Sequence, residues 1–165
     1  VLNENLIQAI IEGAKWVGIP TVVDPKKKNF LAYKGASLFK PNLKEIKEGL
    51  KLDQPLNDQY SVERAVQSLQ EILGAERIMV TLSERGVMIT DFESWEHLPA
   101  HVRNISDVSG AGDTVVSVAA LCLAQKAPLR DIAFLANLAG GLVCEKVGVV
   151  PIEKTKLLEE AIKLG

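Results

Sequence analysis

Apolar side chains recur at Leu6, Ile7, Ile10, Ala14 and Val17, the three-and-four spacing that lines one face of a helix. Asn3 stands where its side chain would cap that helix, and Gly18-Ile-Pro20 ends it. The β-branched run over 21–24 closes at Pro25, and a second apolar run over 36–40 closes at Pro41. Both predict short strands that hand a polar segment to the following loop. A short helix is expected over 42–50. A longer one, capped by Ser61, carries Val62, Ala65, Val66, Leu69, Ile72 and Leu73 before stopping at Gly74.

The run over 77–82 predicts a buried strand, and Ser83-Glu-Arg-Gly86 turns it into a second strand over 87–90. A further short strand is expected over 93–99, so this stretch reads as hairpin-like rather than as a crossover. From Gly110 to Gln125 the pattern is apolar almost all round, which predicts a buried helix rather than a surface one. Another helix follows over 129–146. The last, over 153–164, carries lysines and glutamates that form a solvated face. Repeats, linkers and low-complexity stretches are not evident. Strands that alternate with helices in this way predict an α/β fold.

Composition narrows that picture. The 165 residues are 47% hydrophobic, enough for the continuous core of one domain. Aliphatic residues outnumber aromatics, as suits parallel strands covered on both faces. A formal charge of -2, with lysine and glutamate interleaved, leaves no basic stripe for nucleic acid. Cys122 and Cys144 lie in apolar stretches without metal-ligand spacing, so they read as core residues of a reducing compartment. No apolar run reaches the ~20 residues of a membrane span and no basic-then-apolar leader opens the chain, which favours the cytoplasm. The chain opens on Val1, close to a helix start, so an upstream portion is expected.

The candidate chemistry lies in Asp107-Val-Ser-Gly-Ala-Gly-Asp113-Thr114, where a polar loop with two glycines runs into a helix start. Glycines let backbone N–H groups approach an anion, and the helix dipole favours negative charge there. Asp113 then stands in the first turn, either as a helix-start acid or as a base that takes a proton from a hydroxyl attacking a phosphate. Asn42 and Glu45, read by themselves, are two halves of a capping box. Thr81-Leu-Ser-Glu-Arg-Gly86, read by itself, is a strand-end turn.

Asp107 to Thr114 resembles the second signature of the PfkB family of carbohydrate kinases. The resemblance implies a ribokinase-like three-layer α/β/α fold with a mostly parallel sheet, of which this chain is the C-terminal half. It assigns Asp113 as catalytic base, with Gly110, Ala111 and Gly112 as the anion hole. Asn42, Leu43, Lys44 and Glu45 match the family's Asn-x-x-Glu motif, which arranges magnesium and the phosphates of ATP. Thr81, Ser83 and Gly86 fall in the nucleotide loop, where the family usually has glycine in place of Ser83. Asn137 falls where the family approaches the adenine. A monovalent cation, K+, would sit at Asp107, Ser109 and the loop containing Gly148, a glycine that loop-making explains equally well.

The order of elements from Gly18 through Asp24, Lys26, Phe30 and Tyr33 to Glu45 is closer to the heptose kinases of ADP-heptose synthesis than to ribokinases or fructokinases. The ending through Glu145, Gly148 and Glu153 agrees. That subgroup phosphorylates heptose 7-phosphate at its anomeric hydroxyl. Lys26 and Lys28 would meet an anionic substrate or simply line a solvated loop. His97 and His101 do not form the His-x-Gly-His motif of the subgroup's nucleotidyltransferase domain, so adenylyl transfer is not expected here. The sugar-binding half and its lid are expected upstream, so this stretch alone should turn over poorly. The family usually dimerises through that lid.

Overall fold

The computed structural model of the chain describes residues 2–101 and 104–165; Val1, which prompted the expectation of an upstream portion, lies outside them. Helix α1 (Glu4–Trp16) begins where the pattern places it, because Asn3 Oδ1 accepts the Leu6 amide at 2.9 Å. Strands β1 (Val22–Val23), β2 (Leu38–Phe39) and β3 (Ile78–Thr81) then lie side by side and parallel. Strand β4 (Val87–Thr90) runs back along β3, and β5 (Trp95–Leu98) runs back along β4. Four of the five strands therefore point the same way.

Period-two alternation sorts the strand side chains between two cores. Phe39, Ile78, Val80 and Met88 pack with residues of α1, α2 (Leu43–Gly49) and α3 (Gln59–Leu73). Leu38, Met79, Val87 and Ile89 pack instead with α4 (Ala111–Ala124), α5 (Leu129–Val143) and α6 (Lys154–Leu164). The result is a three-layer α/β/α arrangement. In the first core Phe30 stands edge-on to Phe39, with ring centroids 5.3 Å apart and planes at 80°, a pairing worth about 0.5–1.5 kcal/mol beyond the area it buries.

Three local expectations are corrected. The cap of α3 is Asp58, not Ser61: its Oδ1 accepts the Ser61 amide at 2.9 Å, and the Ser61 hydroxyl donates back to the Asp58 carbonyl at 2.8 Å. Ser61 thus lies inside the first turn. Helix α4 is not buried all round, since it packs one face against α5 and leaves Leu121 69% exposed. Helix α5 ends at Val143, short of Lys146, as the Cys144 carbonyl accepts the amides of Ser106 (2.8 Å) and Asp107 (3.2 Å). Cys122 and Cys144 are both buried and free, and burial raises both thiols above their ordinary pKa. Among the described residues no helix is long and apolar enough to cross a membrane.

Candidate active site

The carboxyl ends of parallel strands collect whatever polar residues follow them, and a ligand cleft commonly forms there. Here β1 is followed by Asp24, β2 by Lys40 and Asn42, and β3 by Ser83. A parallel bridge pairs Asn42 with Thr81, and the Thr81 amide donates to the Pro41 carbonyl at 3.2 Å. Those two loops are thereby locked side by side. Asn42 Oδ1 accepts the Glu45 amide at 2.9 Å, and Glu45 Oε2 accepts the Asn42 amide at 2.8 Å. The pair is a complete capping box at the start of α2. It leaves Glu45 its second carboxylate oxygen.

Helix α4 reaches the same place from the other layer. Its amino-terminal residue Gly110 offers no side chain, so nothing caps the helix. Ala111 donates its amide to the Val108 carbonyl at 3.3 Å and Thr114 to the Gly110 carbonyl at 3.0 Å. The amides of Gly112 and Asp113 have no acceptor among the described residues. They are the orphan donors of a 14-residue helix. Within the stretch Gly110 to Gly112 the Ala111 amide is thus partly spent on the turn, while those of Gly112 and Asp113 stay open. Gly112 lies beside the Lys40 side chain. A Cβ there would come within 4.0 Å of Lys40 Nζ, in the gap between the helix end and a buried ammonium. That gap suits a phosphate.

A cleft of about 1120 Å³ opens between these elements. It is lined by Asn42 through Glu45, Thr81, Ser83, Gly86, Gly110 through Asp113, and Asn137, all of them expected from the sequence. Asp107, Ser109, Gly148 and Lys28 are not among its lining, whereas Lys26 is. The cleft also contains residues that the sequence reading did not assign to the site: Asp24, Lys40, Glu84, His101 and Gly140. Asp24 is held by two lysines, Lys26 Nζ at 2.6 Å from Oδ2 and Lys40 Nζ at 2.8 Å from Oδ1. Burial works to raise the Asp24 carboxyl, but hydrogen bonds from both lysines outweigh it and hold the group below the usual carboxylate range. Lys26 is raised above its ordinary value, chiefly by the Asp24 hydrogen bond against slight burial, with added attraction from Glu45 and Asp113. Two cations thus stand in the cleft near three carboxylates, Asp24, Glu45 and Asp113.

The family model of pfkB family carbohydrate kinases matches residues 1–156. The chain belongs to this family. Among curated PfkB relatives, the bifunctional protein HldE of Methylobacillus flagellatus is 41% identical over 160 residues, covering 97% of this chain and 32% of that protein. HldE of Campylobacter jejuni is 38% identical over 152 residues, covering 92% of this chain and 32% of its own length. The chain therefore spans about a third of the relatives it matches. Escherichia coli phosphofructokinase-2, solved with substrates and products, superposes with a TM-score of 0.85 at 26% identity over 99% of this chain and 53% of that one. Arabidopsis thaliana ribokinase, solved with ribose and ATP, gives 0.80 at 16% identity over 95% and 52%. The fold is ribokinase-like.

Two further positions look different beside the PfkB pattern. Ser83 adopts φ +55°, a left-handed conformation that costs a residue with a Cβ about 1–2 kcal/mol, which accounts for glycine being usual there. Ser83→Gly should relieve that strain, less the greater freedom glycine has when unfolded. The expected net gain of about 0.5 kcal/mol appears as a rise of about 1–2 °C in calorimetric melting. At Asp107, Oδ1 accepts the Ser109 amide and Oδ2 the Gly148 amide, each at 2.9 Å. These bonds, that of Ser109 foremost, hold its carboxyl below the usual range. Here Asp107 ties the loop before α4 to the loop after α5. Asn137 likewise uses its amide nitrogen to reach the Pro99 carbonyl at 2.9 Å. It fixes one wall of the cleft.

Proposed function

We propose that this chain is the ATP-binding and catalytic-base half of a PfkB sugar kinase whose acceptor is D-glycero-D-manno-heptose 7-phosphate, giving the 1,7-bisphosphate. One observation carries the catalytic part. Asp113 stands in the first turn of an uncapped helix with open amides, and the buried ammonium of Lys40 lies 4.0 Å from the Cβ position of Gly112 in that same turn. The acceptor rests on the motif order and on the HldE relatives. ATP puts the reaction in the cytoplasm. The sugar side of the site comes from the part of the relatives that this chain does not span, so efficient turnover belongs to the full-length protein.

In that reading Asp113 takes the proton of the acceptor hydroxyl while its oxygen bonds to the γ-phosphorus. The bond from that phosphorus to the bridging oxygen breaks, and ADP leaves with the electron pair. The Gly112 and Asp113 amides and the α4 dipole offset the charge that grows on the transferred group. His101, Ala100 and Asn137 also line the cleft and would meet the base of the nucleotide. Among the described residues no three His, Cys, Asp or Glu side chains are grouped to hold a metal. Glu45, with one carboxylate oxygen left over, fits a magnesium ion that takes most of its ligands from phosphates and water. Such an ion would neutralise the β- and γ-phosphates. Asp107, whose two oxygens each accept one amide, would meet K+ through the lone pairs those amides leave open.

The test is a steady-state comparison of full-length protein with Mg-ATP and heptose 7-phosphate, fructose 6-phosphate, ribose or a nucleoside. The expected result is kcat/KM at least about 100-fold higher for heptose 7-phosphate, a preference worth about 2.7 kcal/mol in the transition state. Equal or better turnover of another sugar would move the acceptor to a different branch of the family. Nucleotide binding with no transfer to any of them would leave a binding module and remove the kinase.

A further inference from the structure

A lysine at the end of a strand is ordinarily solvated, but Lys40 is not. Its side chain is 4% exposed, and among the described residues its one ion-pair partner is Asp24, 2.8 Å away. An ammonium carries three donors, and a buried polar group left short of partners is costly. Asp24 satisfies one donor of Lys40 while its other oxygen is held by Lys26. The Lys40 Nζ lies close to the missing side chain of Gly112, 4.0 Å from where a Cβ would be. It therefore lies beside the start of α4, where the Gly112 and Asp113 amides are open, and both line the same cleft.

We propose that Lys40 is a phosphate-contacting residue of this site, aimed by Asp24 at the terminal phosphate of the nucleotide, and that Asp24 is a positioning residue acting through it. The inference rests on the kinase reading above. The distances carry it. A phosphate in the gap would meet the Gly112 and Asp113 amides on one side and the remaining Lys40 donors on the other. That arrangement neutralises the γ-phosphate in the ground state and stays with it through transfer. Lys26 is mostly exposed, with 76% of its side chain accessible, and supplies the counter-charge that keeps Asp24 paired whatever Lys40 contacts.

Lys40→Met in the full-length protein tests this, with ATP and ADP titrated separately by calorimetry. Asp24 retains Lys26 in this variant, so no carboxylate is left buried without a partner. A lost charge-assisted hydrogen bond to the terminal phosphate should weaken ATP by about 10- to 150-fold. ADP, which lacks that phosphate, should change by less than about two-fold. Equal weakening of both nucleotides, or of neither, would make Lys40 a structural ion pair and overturn the proposal while the kinase reading stands. If the parent protein bound neither nucleotide, the kinase reading would fall and this inference with it. Should Lys40→Met not fold, Asp24→Asn keeps both lysines but releases Lys40. It is expected to weaken ATP several-fold with ADP unchanged, and parallel loss of both would refute the positioning role.

Discussion

Asp113→Asn in the full-length protein is expected to lower kcat by about 10²- to 10⁴-fold, the contribution of a positioned general base, while ATP affinity stays within about three-fold. Asparagine keeps the shape of the side chain and loses the ability to take a proton. Little else depends on the carboxylate. Asp113 is exposed, and the Ser117 hydroxyl that bonds to it donates to its backbone carbonyl at 2.7 Å, not to the side chain. The helix loses one first-turn acid, worth about 0.3–1 kcal/mol, so melting should hardly move. ATP should bind nearly as before, since the substitution keeps the backbone amides of residues 112 and 113 and does not touch Lys40. Steady-state kinetics beside calorimetry separate the two readouts, and turnover within a few-fold of the parent protein would remove Asp113 as the base.

The place of Asp113 in the first turn of a helix was legible because the loop before it is local: two glycines, an acid and a helix start occupy eight consecutive residues. Asn42 and Glu45 were legible for the same reason, and the structure shows both halves of their capping box. Lys40 and Asp24 were not. Each reads as an ordinary polar residue at a strand end, and the burial of Lys40 and its approach to Gly112, 72 positions away, appear only in the folded chain. The Asp107 tie to Gly148 spans 41 positions, so spacing could not reveal it either. Helix α4 misled in the other direction. Its all-round apolar sequence implies full burial, yet burial depends on how many neighbours surround a helix, and Leu121 faces outward.

Gly86→Ala should be the most destabilising single change in the cleft, because two separate penalties meet there. Gly86 adopts φ +91° and ψ -135°, a backbone conformation that costs a side-chain-bearing residue about 1–3 kcal/mol. A Cβ would also lie 2.0 Å from the Leu98 carbonyl oxygen and 2.6 Å from the Ala100 nitrogen. Those are backbone atoms at the end of β5 and cannot rotate away, so β5 itself must shift, at a further cost of about 1–3 kcal/mol. Gly74 serves as the internal control. Its φ is +58° but nothing lies within 4 Å of its Cβ position, so Gly74→Ala should show the backbone cost alone. Calorimetry should find Gly86→Ala about 4 kcal/mol less stable, a fall of about 8–16 °C, and Gly74→Ala lowered by about a third of that. Equal losses at the two positions would mean that β5 yields freely. The wall it gives the cleft through Ala100 and His101 would then be soft, and Gly86 would matter only for its own backbone angles.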